Sequence, residues 1–342
     1  MSLQSALKTR CRTAIVDTAS ADGLRGAFRE AMARLPGLLP HHLPELVVVK
    51  PNLCDNAAWE TGVTTDPTWV IVLAEELRRR RPDIKIQVVE SDAISAYRAF
   101  RSCDESFDRL GYRDAADEAK VELVNLSKSD SWEVAVPTLP KPLRIPDLFL
   151  RDFYFISVAN VKLHPYERFT GIMKNNYGLL PQQDRTELHV WLPQVLFTLY
   201  ELCRTDLAIL DGRIALEGKG PIIGRPKTLN RLIVGSDALA VDQTACRLIG
   251  LKPADVPHLR YIARRTKRRP SEVDVIGDTT PVPLEVDNPE TSSLIIRKFA
   301  IRRFHHDLEQ LSLRATGLAG DARRHPVQFL GRVMRKVFRG NR

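Results

Sequence analysis

Phe153 to His164 reads FYFISVANVKLH, an aromatic and β-branched run through Val158 followed directly by the polar groups Asn160, Lys162 and His164. A short apolar run that ends in polar residues reads as a buried strand whose carboxyl end delivers side chains to a ligand site, as in layered α/β proteins. The pattern recurs on both sides. Thr13 to Val16, Leu46 to Val49, Ile84 to Val89, Val121 to Val124, Leu207 to Leu210, Arg231 to Val234 and Val273 to Ile276 read as further strands. Asp22 to Leu35, Pro67 to Arg80, Glu105 to Ala119, Glu187 to Cys203 and Asp237 to Leu248 read as helices, with Asp237 as an N-cap and Gly250 at a helix end. The expected fold class is α/β, with mostly parallel sheet flanked by helices. It spans residues 1–290 as two lobes, 1–135 and 147–290, and a basic helical extension follows over 291–342. Ser127 to Pro146, with four prolines in its second half, reads either as a joint between lobes or as an edge hairpin.

The chain has 342 residues, 44% hydrophobic and 27% charged, which suffices for a sizeable core and excludes wholesale disorder. No apolar run is long enough to span a membrane, and no apolar stretch follows the N-terminal Lys8, Arg10 and Arg12. A soluble cytoplasmic protein is expected. Cys11, Cys54, Cys103, Cys203 and Cys246 are scattered without a C-x-x-C pair, which argues against a zinc ribbon, an iron-sulfur cluster and a disulfide framework.

The net charge of +9 is concentrated in one place. Arg297 to Arg342 holds twelve basic residues against three acidic ones, so the rest of the chain is neutral. In 326–342, Phe329, Leu330, Val333, Met334, Val337 and Phe338 keep helical spacing opposite Arg332, Arg335, Lys336 and Arg339. Such a helix docks on its own core or on a twin subunit, or meets an anionic membrane surface or an acidic partner. Nucleic acid is disfavoured, because no aromatic stacking platform accompanies the charge.

Polar residues at the strand ends are the candidate site. Lys50 and Asn52 follow one strand, Asp92 another, Asn160 to His164 a third and Asp211 a fourth. The stretch from Asn160 to His189 is the densest, with Lys162, His164, Lys174, Asn175 and His189, and reads as a loop suited to a carboxylate or phosphate. Gly218 and Gly220, in DGRIALEGKGPIIG, are candidates for a lid or an anion-binding backbone nest. Neither P-loop nor dinucleotide glycine spacing is present, so neither ATP nor NAD is expected. Asp242 points inward by its apolar neighbours and calls for a cation or backbone amide as partner.

The motifs KPNLCDNAAWETGVTTDP, ESD, VKLHPYERFTGIMKNNYGLLP, LAILDG, LEGKGPIIGRP and GSDALAVDQTACRLIG, in this order from Val47 to Leu251, resemble the family known as domain of unknown function 362. The resemblance implies an α/β fold with a shared pocket. His164, Lys174 and His189, spaced H-x9-K-x14-H, are similar in order to a segment of the nickel-pincer lactate racemase (LarA-like) family. That similarity implies a lysine at Lys174's place that tethers a cofactor, a nickel ligand at His189's place and acid/base chemistry at His164's place.

The expected function is an enzyme acting on a small or medium anionic substrate by proton transfer, metal- or cofactor-assisted, racemase- or epimerase-like. His164, Lys174 and His189 are its catalytic candidates. Lys50, Asn52, Lys162, Asn175, Gly218 and Gly220 would bind substrate, and His189, Asp92 and Asp211 would hold a divalent metal. The alternative is a non-catalytic accessory protein that carries a metal or cofactor.

Overall fold

The computed structural model describes residues 11–94, 100–165, 167–268 and 272–287. The chain divides into two compact units, Met1–Asn288 and Pro289–Arg342. Every element named below belongs to the first. The basic extension 291–342 and its helix over 326–342 lie outside the described residues.

Along the chain run β1 (Cys11–Asp17), α1 (Gly23–Arg34), β2 (Leu46–Lys50), α2 (Thr68–Arg78), β3 (Lys85–Glu90), β4 (Ala93–Ile94), β5 (Phe100–Arg101), α3 (Cys103–Arg109), α4 (Tyr112–Ala119), β6 (Glu122–Asn125), β7 (Ser131–Val134) and β8 (Leu143–Pro146). There follow β9 (Tyr154–His164), β10 (Arg168–Thr170), α5 (Ile172–Asn175), α6 (Leu192–Leu202), β11 (Leu207–Glu217), β12 (Arg225–Gly235), α7 (Ala238–Leu248), α8 (Pro257–Thr266) and β13 (Val273–Ile276). Among the described residues one sheet runs in the order β13-β1-β12-β11-β9-β2-β3-β6, with β10 paired to β9. The β11, β9, β2, β3 and β6 block is parallel, as is β13 on β1, while β12 is antiparallel to both its neighbours.

Alternation along β2 shows why this sheet is buried on both sides. Val48 joins one core with Phe155, Leu196, Leu199, Val241 and Leu259. Val47 and Val49 join the other with Phe28, Trp69, Leu73 and Ile156. Period-2 side chains that are apolar on both faces require a helical layer over each. Phe155 is fully buried, and its truncation to Ala would cost about 3–5 kcal/mol.

Several boundaries differ from the sequence expectation for identifiable reasons. The helix expected over Glu105 to Ala119 breaks at Gly111, whose φ of +75° suits a left-handed residue, and becomes α3 and α4. The helix expected from Glu187 begins only at Leu192, where Pro193 occupies its first turn after a 3₁₀ stretch, Gln183–Trp191. Asp237 caps α7 as expected, its side chain accepting the Ala240 N–H at 2.9 Å. The proline-rich stretch forms the β7–β8 hairpin. Strands from both sides of it interleave in the one sheet, so it is not a joint. Asn160 to His164 lies inside β9 rather than in a loop, because β10 folds back as an antiparallel partner and places Thr170 opposite Lys162.

Candidate functional site

The parallel block brings the carboxyl ends of β2, β3, β9 and β11 to one end of the sheet. Lys50 pairs in register with Ser157, and Asn160 with Asp211. Most of the polar groups gathered there are consumed by one another. Lys50 is completely buried; its Nζ donates to Glu90 Oε2 at 2.7 Å, to Pro51 O at 3.0 Å and to Asn175 Oδ1 at 3.3 Å. Burial pulls the Lys50 pKa down, against the opposing charge of Glu90. Asn175 donates to Lys50 O, Ser157 Oγ and Val158 O, and Asn52 donates to Val63 O and Asn160 Oδ1. These three residues, expected to bind substrate, form an internal polar floor that ties α5 to the strand ends. A buried polar group must find such partners.

The expected metal set is not assembled. Asp211 accepts from Trp69 Nε1 and from the Arg213 guanidinium, both at 2.8 Å, and Arg213 also bonds Asp66. Asp92 accepts from the Cys103 N–H at 2.8 Å and from Asn125 Nδ2 at 2.9 Å. His189 packs edge-on against Tyr177, with ring centroids 4.9 Å apart. Among the described residues no three His, Cys, Asp or Glu side chains converge as metal ligands.

Above the floor lies a smaller cluster. Lys174 sits on α5, whose first N–H groups, those of Ile172 and Met173, donate to the two oxygens of Asp242 at 2.8 and 2.9 Å. Gly171 admits this approach, since a Cβ there would stand 2.3 Å from Asp242 Oδ1. Burial pushes the Asp242 carboxyl up to about 7, opposed by these amides and by His258. Lys174 keeps partial exposure and has no hydrogen-bond or ion-pair partner among the described residues. Burial pulls its amine down to about 8, with Glu167 and Cys54 resisting and Lys162 and Arg185 reinforcing the shift. Lys162 is fully buried, donating to Val63 O at 2.8 Å and to Cys54 Sγ at 3.3 Å.

His164 ends β9. Its Nδ1 accepts the Glu167 N–H at 3.1 Å across the turn into β10. Burial, followed by the charges of Lys174, His189, His258 and Lys162, holds its pKa well below the ordinary histidine value. The ring is therefore neutral at pH 7, with its proton on Nε2. Glu167 Oε2 in turn accepts from His258 Nδ1 at 2.7 Å and from the His258 N–H at 3.0 Å.

Sequence reasoning placed Lys162, His164, Lys174 and His189 in one segment, and their charges act on one another in the fold. It missed Glu167, although HPYERF was in view, and it missed His258, which arrives from α8 with no local signal. Gly218 does not join the site: with φ of +79° it turns the chain so that its N–H donates to Glu285 O. Gly220 lies against β9, where a Cβ would stand 2.1 Å from Leu163 O, next to His164.

An α/β sheet with a cation-rich cluster at the ends of its parallel strands is the class this chain represents. It belongs to the family described as a domain of unknown function, DUF362, whose model matches residues 47–247. The chain is 28% identical over 109 residues to a thylakoid-associated protein of Synechocystis sp., covering 30% of this chain and 34% of that one. It thus spans about a third of that relative's length. Among solved structures it is similar to the lactate racemase apoprotein from Thermoanaerobacterium thermosaccharolyticum, with a TM-score of 0.39 and 10% identity over 72% of this chain and 57% of that one. Among the described residues no helix is long and apolar enough to cross a membrane.

Proposed function

We propose that the protein is an acid-base enzyme that acts on a small or medium anionic substrate, a carboxylate or phosphate, by proton transfer of the racemase or epimerase kind. The observation that carries this reading is the Lys174 amine, partly exposed and without a hydrogen-bond or ion-pair partner among the described residues, with burial pulling its pKa down to about 8. A structural lysine is normally paired or extended into water, and a desolvated one near neutrality is characteristic of chemistry. In this reading the Lys174 ammonium holds the anion or polarises its carbonyl. Lys162 adds positive potential. His164 donates its Nε2–H to a substrate oxygen as a neutral imidazole, since its Nδ1 is already occupied. His189, partly exposed, accepts and returns the proton.

Calorimetric titration with inorganic phosphate and with short 2-hydroxycarboxylates tests the site. Lys174→Ala and His164→Ala proteins are expected to fold and to lose the binding that the unaltered protein shows. Full retention by both variants places the site elsewhere. Stoichiometric bound metal without turnover would favour the accessory carrier instead.

A further inference from the structure

Among the described residues Lys50 and Lys162 are the lysines with no exposed surface. Lys50 has the Glu90 carboxylate at 2.7 Å, whereas the partners of Lys162 are Val63 O at 2.8 Å and Cys54 Sγ at 3.3 Å. Among the described residues no carboxylate pairs with Lys162, and one of the three N–H groups of its ammonium is unspent. A buried charge normally has a counter-charge, because desolvation without one is costly. Directly opposite Lys162 in the antiparallel ladder stands Thr170 of β10. Such cross-strand partners share a face of the sheet, and their side chains stand next to each other. Leu163 and Phe169 take the other face, into the core. Thr170 is 6% exposed, and its Oγ1 has no hydrogen-bond partner among the described residues. Left in that state, the hydroxyl destabilises the fold relative to the second methyl of a valine, which has the same shape.

We propose that the Thr170 hydroxyl and the remaining N–H of Lys162 together bind one oxygen of the substrate's carboxylate or phosphate. One step inward along β9, the polar groups are already satisfied: Asn160 Oδ1 accepts from Asn52 and from Thr65. At the next position outward a cation without an anion stands beside a hydroxyl without an acceptor. Both are donors, so the atom that completes them is an acceptor, and the uncompensated charge of Lys162 makes it an anionic one. A neutral acceptor would satisfy the hydroxyl and leave the lysine charge uncompensated. Lys174 follows Thr170 by four residues, on α5, and takes a second oxygen of the same group. The inference rests on the reading of this end of the sheet as the substrate site, and it adds Thr170 to that site as a binding residue.

The test is calorimetric titration of the full chain with inorganic phosphate and, separately, with glycolate, alongside thermal melting without either anion. Thr170→Val keeps the shape and removes the hydroxyl. Its melting temperature is expected to stay level or rise, while its affinity falls about ten- to a hundred-fold, the range for a hydrogen bond to a charged group. Thr170→Ser keeps the hydroxyl and should retain most of the affinity. If the valine variant does not fold, Thr170→Ser and Thr170→Ala, which differ from each other only in the hydroxyl, give the same comparison. A loss confined to phosphate identifies the bound oxygen as a phosphoryl oxygen, and a loss confined to glycolate identifies it as a carboxylate oxygen. Affinity unchanged on removal of the hydroxyl, or no binding of either anion by the unaltered protein at millimolar concentration, overturns the proposal. Loss in Thr170→Val with full retention in Lys174→Ala leaves the subsite standing and removes Lys174 from the site. Loss in Lys174→Ala with full retention in Thr170→Val does the reverse.

Discussion

The Asp242 carboxylate, on α7, accepts the first two N–H groups of α5, those of Ile172 and Met173, at 2.8 and 2.9 Å. The short helix that presents Lys174 is thus anchored by a residue far along the chain, and Gly171 leaves room for nothing larger between them. Asp242→Asn would turn an amide NH₂ toward one of these N–H groups. It is expected to lower stability by about 1–3 kcal/mol, the cost of a buried unsatisfied group, in urea unfolding. Loss of ligand binding at unchanged stability would contradict this structural role.

Lys174→Met removes a desolvated cation that has no ion-pair partner among the described residues. The variant is expected to have a higher melting temperature than the unaltered protein at pH 7 and no anion binding. The sign follows from a folded-state pKa below the unfolded value. At pH 7 the charged amine is penalised in the fold, and that penalty fades as pH rises from about 8 toward the ordinary lysine range. A lower melting temperature would show that Lys174 is a structural cation.

Burial holds the folded-state pKa of His164 well below the ordinary histidine value of about 6.5. Above that value the ring is neutral in both states and contributes nothing to pH dependence. As pH falls through it, only the unfolded chain takes up the proton and stability is lost. His164→Gln is expected to flatten the stability profile between pH 7 and about 5, measured by urea unfolding. An unchanged slope would mean that the ring titrates normally in the fold.

Lys50 and Glu90 form an ion pair with side chains 0% and 4% exposed. Removing one charge strands the other in the core, so Lys50→Met is expected to lose about 3–5 kcal/mol. Gly178→Ala should also destabilise, because its Cβ would stand 2.5 Å from Glu90 Oε1 and 2.7 Å from Lys50 Nζ. Wild-type stability in Lys50→Met would place this lysine outside the internal floor.

The strands were legible because their residues are apolar on both faces, as Val47, Val48 and Val49 show. Their ends were not, because the buried polar residues of β9 read as a loop until β10 is known to pair with it. Proximity in sequence places Lys162, His164 and Lys174 in one segment, and their charges act on one another in the fold. For Lys50, Asn52 and Asn175, residue type reveals which groups need partners, while only the fold reveals that they find one another. His258 carries no sequence signal at all, since its role depends on α8 meeting the turn at Glu167.

The central claim, that the Lys174 and His164 cluster transfers a substrate proton, is tested most directly by solvent exchange. The full chain is incubated in D₂O with short 2-hydroxycarboxylates and phosphate esters, and deuterium at the carbon next to the carboxylate or phosphate-bearing group is followed by proton NMR. Deuterium is expected to enter at least one substrate with the unaltered protein and not with Lys174→Ala or His164→Ala. Exchange that persists in both variants, or no exchange in any substrate that the unaltered protein binds, would contradict the account.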